Sequence, residues 1–421
     1  MKKKVKGVKI MTFNELYRKL VQEAVQTGNM ETLSDYDPHH LDCLLHPEKY
    51  APVYRISDCN CSPEEQGTCS KVCIFDAIVK TPEGGIEIDK DLCVGCNACV
   101  DHCKSEKLVS SKDILPALHA IKEAKGPVYA LIAPAFLGQY SKEVTPGKLR
   151  NAFKKIGFDG MIEVALFADI LTLKEALEFD KNIVTESDYQ LTSCCCPMWI
   201  GMIKKIYKEL MPHVPGAVSP MIAAGRTIKV LHPDALTIFI GPCLAKKAEA
   251  REKDISDAVD YVLTFQEVQD IFEFAKVNPS EMEDSEKDHS SKAGRIYART
   301  GGVSEAVKNT VNRLNPNRKI TVNTMQADGV PACREMINKL KEGSANANFF
   351  EGMGCVGGCV GGPRVLIDRN EGRDNVNEYG EMATYETPID NPYVIELLHR
   401  LGFDTVESLL EHSDIFTRDF N

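Results

Sequence analysis

The sequence predicts an α/β domain with largely parallel sheets flanked by helices, set behind a cysteine-rich block and a short helical N-terminal segment. Three observations predict it. From residue 111 onward, apolar runs of strand length alternate with helix-patterned stretches. Eight of the sixteen cysteines lie between Cys59 and Cys103. Before them, FNELYRKLVQEAV and LDCLLHPEKY carry apolar residues at helical spacing. The boundaries fall at 1–55 for the lead-in, 56–110 for the cysteine block and 111–421 for the large domain.

Within the lead-in, Cys43 stands alone and reads as a buried structural thiol. In the large domain PVYALIAPA, YQLTSC, ALTIFIGPC, KITVNTMQADG and ANFFEGMGC read as strands. LRNAFKKIG, LTLKEALEF and ACREMINKLKEG read as helices between them. Ligands of such sheets gather outside the carboxyl ends of the strands. Cys194, Cys195, Cys196, Cys243 and Cys355 all fall just beyond an expected strand, so one site can collect them. The charged stretch at 279–295 reads as an exposed loop without chemistry.

Hydrophobic residues at 43% and charged residues at 26% indicate a globular chain. A formal net charge of -11 argues against nucleic acid as the main partner. No signal-peptide core follows the basic start, and no stretch of about 18 apolar residues occurs, so the expectation is a soluble, cytoplasmic protein without a membrane span. Thiols stay reduced in that compartment, which makes metal or redox chemistry the better reading of so many cysteines than disulfides.

CVGCNACVDHC places Cys93, Cys96, Cys99 and Cys103 with two, two and three residues between them, the run that bacterial ferredoxins use for a [4Fe-4S] cluster. Zinc, the competing reading, usually takes two separated cysteine pairs. The preceding Cys59, Cys61, Cys69 and Cys73 are spaced less regularly, and a structural role for Cys59 or Cys61 stays open. The fourth cysteine of each ferredoxin run crosses to the other cluster. A ferredoxin-like 2[4Fe-4S] domain would therefore join Cys59, Cys61, Cys69 and Cys103 around one cluster, and Cys73, Cys93, Cys96 and Cys99 around the other.

Three further segments, TSCCCPMW, GPCLAKKAE and EGMGCVGGCVGGP, together with APAFLG and FADILTLKEALE, resemble the signature motifs of the [FeFe]-hydrogenases. The resemblance spans most of residues 125–365 and suggests a divergent, ferredoxin-type subgroup. It implies an H-cluster, a [4Fe-4S] cubane joined through a cysteine sulfur to a di-iron azadithiolate unit with CO and cyanide ligands. Cys196, Cys243, Cys355 and Cys359 would hold the cubane, with Cys359 bridging. Ala133 and Pro134 would border the cofactor, Lys246 would donate to a cyanide, and Met353 would lie beside the di-iron unit. Lys247 reads instead as a solvated helix position. Aligned on Pro197, Cys195 becomes the thiol that passes protons, Glu175 and Glu178 continue the path, and Cys194 packs.

The family's pathway serine falls on Pro215. Gly241 replaces a methionine, Ala135 a serine, Met221 a glutamine, and GGP the usual GGGQP. Such changes around a metal site tune potential and rate more often than they abolish binding. The implied activity is 2H⁺ + 2e⁻ ⇌ H₂, fed by ferredoxin or a similar small carrier through the two accessory clusters, with maturation proteins building the H-cluster. Lys2, Lys3 and Lys4 offer a basic contact for such a carrier. The alternatives are a hydrogen sensor of low turnover and a non-catalytic iron-sulfur carrier.

Overall fold

The computed structural model describes residues 10–27, 34–62, 65, 67–81, 85–192, 195–285 and 287–420. Cys194 and Lys2, Lys3 and Lys4 lie outside the described residues. The lead-in forms helices Phe13–Gln26 and Pro38–Leu45. Thr12 and Glu15 cap the first reciprocally, each side chain accepting the other's backbone N–H. Phe13, Leu16, Leu20 and Val21 bury one face of that helix in the core that also holds Val268, Ile271 and Phe272. Each such side chain contributes about 1.5–3 kcal/mol. Tyr17 then donates to Asp270 at 2.6 Å. The lead-in is thereby built into the large domain.

Strand β1 (Val53–Arg55) closes the lead-in, followed by β2 (Ile78–Lys80), β3 (Ile86–Ile88) and β4 (Leu108–Ser110). β1 pairs antiparallel with β4, and β2 with β3. The cysteine block hangs between these short ladders. Only three residues per strand are needed because the loops, rather than the sheets, present the thiols.

The large domain contains β5 (Val128–Ile132), β6 (Gly160–Glu163), β7 (Gln190–Leu191), β8 (Leu236–Gly241), β9 (Tyr261–Thr264), β10 (Thr324–Asp328) and β11 (Phe349–Met353). These strands make two parallel sheets, ordered β6-β5-β8-β9 and β10-β11-β7. The expected strand in YQLTSC shortens to two residues. β6 and β9 escaped the sequence reading because each is four residues long, too short for period or composition to separate it from loop.

The segment 279–295 departs from its reading as an exposed loop. Ser290, Ser291 and Arg295 are buried, and both backbone and hydroxyl of Ser291 donate to Asp169, itself fully buried. Its polarity serves an internal carboxylate, which also receives the Gly294 N–H at 2.8 Å. Burial pushes the Asp169 carboxyl up to about 7 despite these donors. Among the described residues, no helix is long and apolar enough to cross a membrane.

Candidate metal centre

Four thiols that follow strands of the two parallel sheets lie near one another. Cys196 is the N-cap of helix Pro197–Lys205, after β7. Cys243 follows β8, Cys355 follows β11, and Cys359 begins a 3-10 turn, Cys359–Gly361. Burial raises the Cys355 thiol well above its ordinary pKa, and Cys243, Cys196 and Cys359 lie near enough to push it further. Burial also takes Cys359 to about 12, again with Cys243 and Cys196 adding to the rise, and Cys243 to about 11, with Cys196 beside it.

The surrounding backbone favours thiolates. Gly354 N–H donates to Cys196 Sγ at 3.3 Å, and the amides of Lys246 and Ala245 lower the Cys243 pKa. A Cβ at Gly354 would stand 2.3 Å from Met198 Cγ, so only glycine lets this amide reach the sulfur. Among the described residues no three His, Cys, Asp or Glu groups close on a single metal ion. In a cubane each thiolate binds a different iron, and four cysteines are the donor set such a cluster requires. The residues present fit a [4Fe-4S] group.

The cysteine block divides into two neighbourhoods. Cys99 is beside Cys96, Cys93 and Cys73, while Cys93 is also beside Cys96 and Cys73. Separately, Cys59 is beside Cys61 and Cys103, and Cys69 beside Cys103 and Cys59. The crossing cysteines receive backbone donors: Ala77 N–H on Cys73 at 3.4 Å and Lys107 N–H on Cys103 at 3.3 Å. Burial opposes ionisation at Cys103, but the Ser105 hydroxyl and the amides of Leu108, Lys107 and Ser105 hold it below its ordinary pKa. Cys96 is also close enough to Cys355 to raise its pKa, which links the block to the sheet-end thiols.

A model described as the iron-only hydrogenase large subunit, C-terminal domain, matches residues 126–363, and a 4Fe-4S binding domain matches residues 86–106. The chain belongs to the iron-only hydrogenase large-subunit family. It is 28% identical to Iron hydrogenase 1 of Clostridium pasteurianum across 59% of this chain and 50% of that protein, so the match spans half of the relative's length. Cytosolic iron-sulfur assembly component 3 of Bos taurus is 25% identical across 80% of this chain and 84% of that protein. A solved [FeFe]-hydrogenase of Chlamydomonas reinhardtii shares the fold at TM-score 0.59, with 20% identity, 72% of this chain and 98% of that chain covered.

Within this family fold the remaining expected residues divide into those at the thiol centre and those held elsewhere. Cys195 lies beside Cys196, Glu175, Glu351 and Cys359, and burial raises its pKa well above the ordinary thiol value. Met353 packs in the same apolar cluster as Cys195 and Cys196. Ala133 and Pro134 leave β5 next to β8, where a Cβ on Gly241 would stand 3.0 Å from Ala133 Cβ. Glu175 is buried on helix Ala165–Asn182, beside both Cys195 and Tyr297. Glu178, a turn later, accepts from Lys174 at 3.0 Å, and Lys174 also donates to the Leu409 carbonyl at 2.8 Å. Pro215 offers its carbonyl to Ala217 N–H, and Ser219 caps helix Pro220–Leu231.

Lys246 is buried and donates to Glu249 at 2.6 Å. Lys247 corrects the reading as a solvated position: it is fully buried and reaches both Glu267 oxygens at 3.1 and 3.2 Å and Asp113 at 3.4 Å. A helix of five residues, Ala245–Glu249, carries both lysines, and each is buried on it. Cys43 and Cys333 are fully buried, and Cys333 Sγ donates to the Met353 carbonyl at 3.4 Å.

Two residues at the centre were not singled out from the sequence. Glu351 is buried and accepts N–H groups from Gly301 and Ser304, both at 2.8 Å. Its place in EGMGC was the available signal. Tyr297 accepts from the Thr172 hydroxyl at 2.8 Å, and nothing in the local pattern RIYAR marks it.

Proposed function

We propose that the chain is an [FeFe]-hydrogenase catalysing 2H⁺ + 2e⁻ ⇌ H₂. One observation carries the reading: Cys195, Met353 and Lys246 stand at the meeting point of the four sheet-end thiols, beyond what holding a cubane requires. When bound, the H-cluster would supply the redox site at which protons and electrons combine. Cys196, Cys243, Cys355 and Cys359 would hold it, Cys359 as the bridge, with Ala133 and Pro134 against its edge. Lys246 has three donors, of which Glu249 takes one, so its ammonium can also donate to an anionic ligand.

Cys195 holds a proton at Sγ, because its buried surroundings disfavour the thiolate. Glu175, enclosed beside it, accepts or returns that proton, and Glu178 extends the relay toward Lys174. Pro215, which stands where the resemblance implies a pathway serine, has no hydroxyl to offer, so a water would complete the relay. Met353 and the Phe349 and Phe350 side chains of β11 exclude bulk water. Electrons would pass from ferredoxin through the two accessory clusters, and maturation proteins would install the di-iron unit.

Infrared spectroscopy of the matured protein tests the reading. CO and cyanide stretches are expected, and their absence in the presence of active maturases would defeat it. Cys195→Ala should keep those stretches while hydrogen turnover falls about 10²- to 10⁴-fold, the usual worth of a positioned proton donor. Unchanged turnover would reject Cys195 as that donor. A second reading, a non-catalytic iron-sulfur carrier, is supported by the similarity to the bovine assembly component over most of both chains. It expects cubane signals without diatomic stretches.

A further inference from the structure

One helix touches both cysteine regions. Helix Pro197–Lys205 is capped by Cys196, one of the sheet-end thiols, and ends nine residues later at Lys205. A helix of that length spans about 13 Å. Midway along it, a Cβ on Gly201 would stand 3.1 Å from Val94 Cγ1, so the helix packs closely against the loop between Cys93 and Cys96. At its end the Lys205 ammonium donates to the Asp91 and Leu92 carbonyls at 2.8 and 3.0 Å, just before Cys93. The same ammonium lies 5.9 Å from the centre of the Phe75 ring. Burial lowers the Lys205 pKa, and the charges of Glu252 and Cys93 work against the fall. Lys204 and Asp89 also act on it, with opposite signs.

The segment after Cys359 supplies a second cation to the same loop. The Arg364 backbone N–H donates to the Pro242 carbonyl at 3.1 Å, next to Cys243 in sequence. Its Nη2 donates to Asn97 Oδ1 at 3.2 Å and to Ser110 Oγ at 2.7 Å. Asn97 is buried between Cys96 and Cys99 in a left-handed backbone conformation, and its amide donates to Asp101 at 2.7 Å. Arginine keeps its charge in such surroundings. Of the carboxylates that act on Arg364, Glu267 is paired with Lys247 and Asp101 is exposed to solvent, while Lys112 adds a like charge.

We propose that Lys205 and Arg364 are positioning residues for electron transfer. They clamp the loop from Cys93 to Cys99 on both flanks and raise the reduction potential of a [4Fe-4S] cluster held by Cys73, Cys93, Cys96 and Cys99. The inference rests on the iron-sulfur reading of that set and not on the H-cluster. Reduction brings one electron and one unit of negative charge to the cluster, with no bond made or broken. Net charge and hydrogen bonding around the cysteines set the potential of such clusters, and a fixed cation stabilises the more negative, reduced state. Because the two cations come from the segments that carry Cys196 and Cys359, the same contacts hold the accessory cluster against the sheet-end centre.

The test uses the full chain reconstituted with iron and sulfide, without the di-iron unit, in a mediated redox titration followed by electron paramagnetic resonance. The component read is the one that Cys99→Ala removes. At the wild-type midpoint, Lys205→Gln with Arg364→Gln should lower its reduced-to-oxidised ratio about 10-fold, a shift of about 59 mV to the negative. Lys205→Gln alone should lower it about 2-fold or more at low salt and less at high salt, since this half-buried ammonium is open to screening. Lys205→Arg and Arg364→Lys keep the charges and should keep the wild-type potential, which separates an electrostatic role from packing. The component of the Cys59, Cys61, Cys69 and Cys103 set should not move. An unmoved midpoint in the neutralising variants, an equal shift in the charge-retaining ones, or a shift shared by every component would overturn the proposal. A wild-type chain that assembles no cubane would defeat the iron-sulfur reading and this proposal with it. Missing CO and cyanide stretches after maturation would defeat only the hydrogenase reading.

Discussion

The cysteine block and the sheet-end centre assemble the same kind of thiol set by opposite means. In the block, eight cysteines lie within one short run, and tight loops bring them together; Gly95 and Asn97 take left-handed backbone conformations between Cys93 and Cys99. Short strands suffice to anchor them. At the sheet ends, Cys196, Cys243, Cys355 and Cys359 come from three separate strand termini, and two parallel sheets must form before any of them meet. Local geometry defines the first set, while the second depends on the whole domain. Removing a thiol should therefore be a local event in the block and a central one at the sheet ends.

The largest effect is expected for Cys359→Ala, which should abolish both the diatomic stretches and hydrogen turnover in the matured protein while leaving accessory-cluster signals in electron paramagnetic resonance. Loss of the accessory signals as well would erase the distinction between the regions. Lys247→Met comes next, as a test of how the domain that gathers the sheet-end thiols is held. It removes one partner of a buried ion pair and leaves Glu267 uncompensated, which typically costs about 3–5 kcal/mol in a denaturant titration. Burial alone would raise the Glu267 pKa, but Lys247 and the Thr264 donors outweigh it and hold the carboxyl low. A depressed folded pKa stabilises the fold above the unfolded value of about 4.3 and is lost as pH falls through the folded value. Wild-type stability should thus fall on acidification below about pH 4, and Lys247→Met should lose much of that acid dependence. Smallest is Cys61→Ala, expected to alter one accessory signal and leave the infrared stretches in place. A change in those stretches would show that the block and the centre are one unit.

Legibility followed the same division. The spacing of Cys93, Cys96, Cys99 and Cys103 points to a cluster before any fold is known, because residues so close along the chain must also be close in space. The sheet-end set was visible only as cysteines after strand-like runs, and by resemblance to family motifs. Cys195 could be aligned, but its raised pKa could not be read, because it comes from burial in the folded domain, with the charges of Glu175 and Glu351, distant in sequence, adding to the rise. Lys247 shows the reverse failure. In AKKAEA the two lysines look alike, and only the positions of Glu267 and Asp113 reveal that Lys247 is interior.

From the sequence by itself came the alternating α/β pattern and the ferredoxin-like cysteine run, since period and spacing are properties of the chain. Tertiary structure alone decided the division into two sheets, the burial of Ser291 against Asp169 and the closeness of Cys96 to Cys355. Each of these depends on which side chains lose water to one another, and segments far apart along the chain settle that only when they pack.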